Sequence, residues 1–104
     1  MTAFEVTVTG LAADPVVTVV GEIDLTATQA LTDAAHQAAR EGRVLLDVSA
    51  MTFIDSTGLR VLVGLAREGT TPVLRGANEH LRQLLRTTSL DKLVVLADPE
   101  PPTP

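Results

Sequence analysis

The sequence of 104 residues predicts an α/β fold, a small domain with a mixed β-sheet and packed helices in the order β-β-α-β-α-β-α-β. Three observations carry that expectation. Two β-branched runs precede any helical spacing, apolar residues then fall at i, i+3, i+4 intervals from Thr26, and from there helical stripes alternate with short apolar runs. Two strands with no helix between them imply an antiparallel hairpin. The later strand–helix–strand units imply parallel pairing through right-handed crossovers.

The elements are taken in chain order. Phe4-Glu5-Val6-Thr7-Val8-Thr9 alternates apolar and polar residues, the period of a half-buried strand, and Gly10 to Pro15 breaks it. Val16-Val17-Thr18-Val19-Val20 is nearly continuous and ends at Gly21, which reads as a strand covered on both faces. Ala27, Ala30, Leu31, Ala34, Ala35 and Ala38 form one stripe of a helix, with Thr26 and Gln29 as its capping box and Gly42 as its stop. Val44-Leu45-Leu46-Asp47-Val48 is the third strand and Ser49 to Phe53 a loop. Leu59, Leu62, Val63 and Ala66 make the next helical stripe, preceded by Asp55-Ser56-Thr57-Gly58 and closed near Gly69. Pro72-Val73-Leu74 is a short strand, Asn78 caps a third helix facing inward through Leu81, Leu84 and Leu85, and Leu93-Val94-Val95-Leu96 is the last strand. One domain over residues 1–97 is expected, followed by a proline-rich disordered tail at 98–104, because proline removes backbone donors.

Composition excludes several classes of function. Charged residues make up 20% and hydrophobic ones 45%, a globular balance. A net charge of −5 and only two aromatic residues, Phe4 and Phe53, argue against binding to nucleic acid or an anionic membrane, which need a basic surface or stacking platforms. The absence of cysteine removes disulfides, thiolate catalysis and cysteine-ligated metal sites. His36 and His80 are far apart and have no second ligand at helical spacing, so no metal site is expected and no cofactor is implied. The N-terminus lacks a basic and an apolar signal region, and no apolar stretch reaches the roughly 20 residues that span a bilayer, so the chain reads as cytosolic.

One segment carries chemistry: Asp47-Val48-Ser49, then Phe53-Ile54-Asp55-Ser56-Thr57-Gly58-Leu59. It sets the Ser56 hydroxyl at the N-terminus of a helix, where free N–H groups and the helix dipole favour an anion, including a phosphate on Ser56 itself. Simple capping is the plainer reading, since Asp, Ser and Thr are what any helix start prefers. Enzymatic readings fail on the letters. A nucleophile elbow needs glycine where Ile54 stands, a phosphate-binding loop needs a lysine whereas the chain's one lysine is Lys92, and the carboxylates Glu22, Asp24 and Asp55 have no evident substrate pocket beside them. No catalytic residue is therefore nominated.

The same residues, with Gly21-Glu22-Ile23-Asp24 at the end of the second strand, resemble the STAS domain of bacterial anti-sigma factor antagonists over nearly the whole chain. The resemblance implies a partner switch and no activity of the chain's own. The unphosphorylated antagonist binds an anti-sigma factor that is also a serine kinase of the histidine-kinase-like ATPase type, and so releases a sigma factor. Phosphorylation of the serine matching Ser56 ends that binding, and a PP2C-type phosphatase restores it. On this reading Ser56 is the phosphoacceptor, with Thr57 the alternative, and Asp24, Asp55, Thr57 and Gly58 serve partner and kinase recognition. Asp24 and Asp55 are equally readable as turn and cap residues, and Gly58 as a point of close helix approach. Arg60 and Arg67 lie off the apolar stripe and could rim the docking surface, although a solvated charged face is the simpler assignment. Two departures from the family pattern are Thr57, where a second serine is common, and the proline-rich segment, where many members have a further helix. The competing readings are a constitutive STAS-like structural subunit of a lipid-transport ATPase complex and, more remotely, a cytoplasmic module of an anion transporter.

Overall fold

A computed structural model describes residues 4–97, so the tail expected at 98–104 lies outside the described residues. The strands are β1 (Phe4–Thr9), β2 (Val16–Ile23), β3 (Arg43–Ile54), β4 (Thr71–Arg75) and β5 (Val95–Ala97). The α-helices are α1 (Thr28–Ala38), α2 (Ser56–Arg67) and α3 (Glu79–Thr87), with short 3₁₀ turns at Leu25–Ala27 and Leu90–Lys92. The strands line up in sequence order, β1 antiparallel to β2 and every later neighbour parallel, which is the expected α/β architecture.

Each parallel crossover moves one strand in the same direction, so right-handed connections put all three helices on one face of the sheet. Leu31 of α1, Leu62 of α2 and Leu81 of α3 accordingly meet Val19, Leu46 and Leu74 around one small interior space. Ile23, Leu46, Leu65, Leu74, Leu81 and Leu85 are buried completely or nearly so. The alanine stripe of α1 is buried at Ala27, Ala34, Ala35 and Ala38 and lets that helix lie close to the sheet. On the opposite face alternate residues such as Val16, Leu45 and Val73 are half-buried, and Arg75 meets Asp47 across β3 and β4 at 2.9 Å.

Five expectations are corrected, the first of them the last strand, which is Val95–Ala97 and not Leu93–Leu96 because Leu93 closes the 3₁₀ turn and pairing with β4 begins at Val95. Ser49 to Phe53 is strand, because β3 continues beside the end of β2, pairing Val20 with Ala50, Gly21 with Met51, Glu22 with Phe53 and Ile23 with Ile54. Two register shifts accommodate this, and they break the period-2 pattern that would have revealed a strand. For the same reason β2 passes through Gly21, whose φ of +89° only glycine adopts freely, and stops at Ile23. No Thr26–Gln29 capping box forms: the cap is Asp24, which precedes the 3₁₀ turn, while Gln29 donates to Asp33 one turn along α1. Finally, α2 buries Gly58, Leu59, Leu62 and Leu65, leaving Val63 and Ala66 half-buried.

Candidate functional site

The register of β2 and β3 assembles the site. Ile23 and Ile54 are paired parallel neighbours, and the Asp55 N–H donates to the Ile23 carbonyl at 3.2 Å. Asp24 and Asp55 therefore leave the sheet at the same edge, one leading into the 3₁₀ turn before α1 and the other into α2. The two connections are built alike. Asp24 Oδ1 accepts from the Thr26 N–H at 3.0 Å and the Thr26 hydroxyl at 2.7 Å. Asp55 Oδ1 accepts from the Thr57 N–H at 3.0 Å, the Thr57 hydroxyl at 2.5 Å and the Gly58 N–H at 3.2 Å. Asp47 repeats the arrangement with Ser49, whose hydroxyl donates to it at 2.6 Å. An Asp-x-Ser/Thr spacing thus occurs three times, a signal that pattern reading passes over.

Asp55 is the N-cap of α2, and Ser56 is its first residue. The Thr57 hydroxyl, helped by the Gly58 and Thr57 N–H groups, outweighs desolvation and holds the Asp55 carboxyl below its ordinary range. Asp47 is lowered too, chiefly by the Ser49 hydroxyl. Thr57 is thereby committed as a donor, whereas the exposed Ser56 hydroxyl has no hydrogen-bond partner among the described residues.

Gly58 has the close-approach role. A Cβ there would lie 2.6 Å from Ile54 Cγ1 and 3.0 Å from Ile23 Cγ2, so the missing side chain allows the first turn of α2 to sit on the ends of both strands. Gly58 is buried.

Exposed apolar residues flank the two turns, together with the carboxylates of Asp24 and Asp55 and the guanidinium of Arg60. Leu25 is 70% exposed, the most of any large apolar residue described, and Phe53 is 45% exposed. A groove between α1 and α2 is lined by Leu25, Thr28, Thr57, Arg60 and Val61 at one end and closed by the 2.8 Å contact of His36 with Glu68 at the other. Arg67 is exposed at the far end of α2, where a cation suits the helix dipole. The fold brings the expected Asp24, Asp55 and Ser56 to one edge of the sheet, and it exposes Leu25 and Phe53, which sequence reasoning does not single out. Among the described residues no group of three or more His, Asp or Glu side chains could hold a metal, and no helix is long and apolar enough to cross a membrane.

This geometry has counterparts among known proteins. An anti-sigma factor antagonist from Mycobacterium paratuberculosis is 28% identical and superposes with a TM-score of 0.69, covering 88% of this chain and 82% of the other. The unphosphorylated form of the anti-sigma factor antagonist SpoIIAA is 21% identical, with a TM-score of 0.66 and coverage of 93% and 88%. The Bacillus cell fate determinant SpoIIAA in its phosphorylated form is 19% identical, with a TM-score of 0.63 and coverage of 93% and 91%. The two SpoIIAA likenesses bear on fold alone. No curated protein matches. A family model described as "Mlab, STAS domain" matches residues 6–96, and the chain belongs to the STAS domain family.

Proposed function

We propose that the protein is an anti-sigma factor antagonist that works by partner switching in the cytoplasm. Unmodified, it docks through the surface around Ser56 on an anti-sigma factor serine kinase of the histidine-kinase-like ATPase type and frees a sigma factor. Transfer of a γ-phosphoryl group from ATP to Ser56 Oγ forms the new O–P bond as the bond to ADP breaks, and the modified surface no longer binds. A PP2C-type phosphatase reverses the change. The chain is substrate and switch, a binding protein without catalytic equipment.

The observation that carries this reading is the division of labour at α2: the Thr57 hydroxyl donates to Asp55, and Ser56 between them is exposed, its hydroxyl without a partner among the described residues. A phosphate there adds about −2 charge at a helix N-terminus, which tolerates it, so the fold stays as it is. What changes is the exterior. An apolar rim with a neutral hydroxyl becomes a hydrated dianion facing a kinase pocket that holds the phosphates of ADP, and like charges repel across such an interface. A loss of about 3 kcal/mol weakens binding more than a hundredfold.

A second reading, the constitutive structural subunit of a lipid-transport ATPase complex, draws on the family model's Mlab description and on exposed Leu25 and Phe53, which would suit a permanent partner equally well. Incubating the protein with the serine kinases of its own cell and ATP, followed by site mapping, separates the two. Phosphate confined to Ser56 supports the switch; no phosphate with any kinase, together with tight binding to a transporter ATPase, supports the subunit.

A further inference from the structure

Arg60 stands one turn along α2 from Ser56, four residues on and so on the same helix face. No anion among the described residues pairs with it. The first turn of α2 contains no acidic residue, the Asp55 Oδ1 oxygen is taken up by Thr57 and Gly58, and Arg60 forms no ion pair or hydrogen bond among the described residues. Its side chain lines the α1–α2 groove beside Leu25, Thr28 and Thr57, residues at the Ser56 end of that groove. This is the direction in which a helical side chain leans, back over the turn on its N-terminal side.

The same chain shows what such a position accepts. In α3 the first residue is Glu79, and its Oε2 meets Arg86 of the same helix at 3.1 Å. Ser56 holds the equivalent first position of α2. A phosphate on it would give α2 the acid–arginine pairing that α3 already has, over four residues instead of seven and in the favourable order with the acid N-terminal. Phosphate also offers arginine a bidentate partner with about twice the charge of a carboxylate.

We propose that Arg60 is the receptor of a phosphate on Ser56, so that modification draws its guanidinium from the α1–α2 groove into an ion pair on the helix and removes the groove's free cation. This rests on the phosphorylation of Ser56 proposed above. Phosphorylation then alters the docking surface twice: a dianion appears beside Leu25, and the cation available to a partner carboxylate is withdrawn. The other ionisable groups lining the groove are His36 and Glu68, and Asp24 and Asp55 lie at the strand ends before the two helical segments; none of the four is substituted in the test.

The test needs no kinase. Phosphoserine is placed at position 56 during translation, and its second ionisation is followed by ³¹P NMR in three backgrounds: wild type, Arg60→Gln and Arg60→Lys. The expected result is an ionisation in wild type lower by about half a pH unit than in Arg60→Gln, as for an exposed but bidentate pair, with Arg60→Lys between them. The Arg60 Nε–H signal should move with the same midpoint. Identical titrations in wild type and Arg60→Gln, or an unmoved Arg60 signal, overturn the proposal. Failure of every kinase to modify Ser56 would instead remove the functional reading and leave the titration standing.

Discussion

Asp24-Leu25-Thr26 and Asp55-Ser56-Thr57 leave neighbouring strands at the same edge, and in each the aspartate accepts from both the N–H and the hydroxyl of the threonine two residues on. They differ in the residue between. One turn presents an apolar side chain, 70% exposed, and leads into a three-residue 3₁₀ segment; the other presents a free hydroxyl and opens a twelve-residue helix. The shared geometry is scaffold, since Asp and Thr cap backbone wherever they have this spacing. On the function proposed above, the difference lies in the central residue and the helical segment after it. In that proposal Leu25 would supply contact area, and Ser56 a phosphate-accepting hydroxyl with helix N–H groups behind it.

Exchanging the central residues tests that division most severely. Leu25→Ser creates a second Asp-Ser-Thr beside the first, yet phosphate should still go to Ser56 alone, and Ser56→Ala should remain unmodified even in the Leu25→Ser background; peptide mapping by mass spectrometry reads both. Phosphate at position 25 of the double variant would show that the turn alone suffices. Next in size is Gly58→Val. Its side chain would collide with Ile54 and Ile23, and overpacking of this kind costs about 1–3 kcal/mol, measurable by urea unfolding. An unchanged midpoint would mean that α2 does not rest on the strand ends as tightly as described.

Leu25→Glu is expected to weaken binding of the anti-sigma partner about tenfold, or about 1.4 kcal/mol, while leaving thermal stability within experimental error, because so exposed a side chain contributes little to the core. A large fall in Tm would reassign Leu25 to folding. The smallest effect belongs to Thr57→Val. Losing its hydroxyl removes the main cause of the lowered Asp55 pKa, so the Asp55 carboxyl should titrate closer to its ordinary range when followed by ¹³C NMR. A carboxyl lowered by folding contributes stability that is present above its unfolded pKa and lost as the pH falls through its folded pKa. The acid limb of the stability profile should therefore move to higher pH in Thr57→Val, and an unmoved limb would place the cause elsewhere.

Much of this is legible in the letters, and the parts that are not share a cause. Periodicity reveals elements whose faces alternate regularly, which is why β1, the α1 stripe and the Asn78 cap of α3 stand where pattern reading puts them; Asn78 Oδ1 accepts from the Leu81 N–H at 2.8 Å. At the junction of β2 and β3 two register shifts break the alternation, and the strand from Ser49 to Ile54 reads as loop although it positions the site. Ser56 and Asp55 are visible as a helix start because capping is local chemistry. The surface around them is not: Leu25 looks like one more apolar residue before a helix, and only the fold shows that its side chain has little to cover it.

Binding of the anti-sigma factor kinase by two forms of the protein, one with serine and one with phosphoserine at position 56, tests the central claim most directly when followed by isothermal titration calorimetry in the presence of ADP. The expected result is tight binding of the serine form and a loss of more than about a hundredfold for the phosphoserine form, with circular dichroism unchanged between them. Equal affinity of the two forms would contradict the switch.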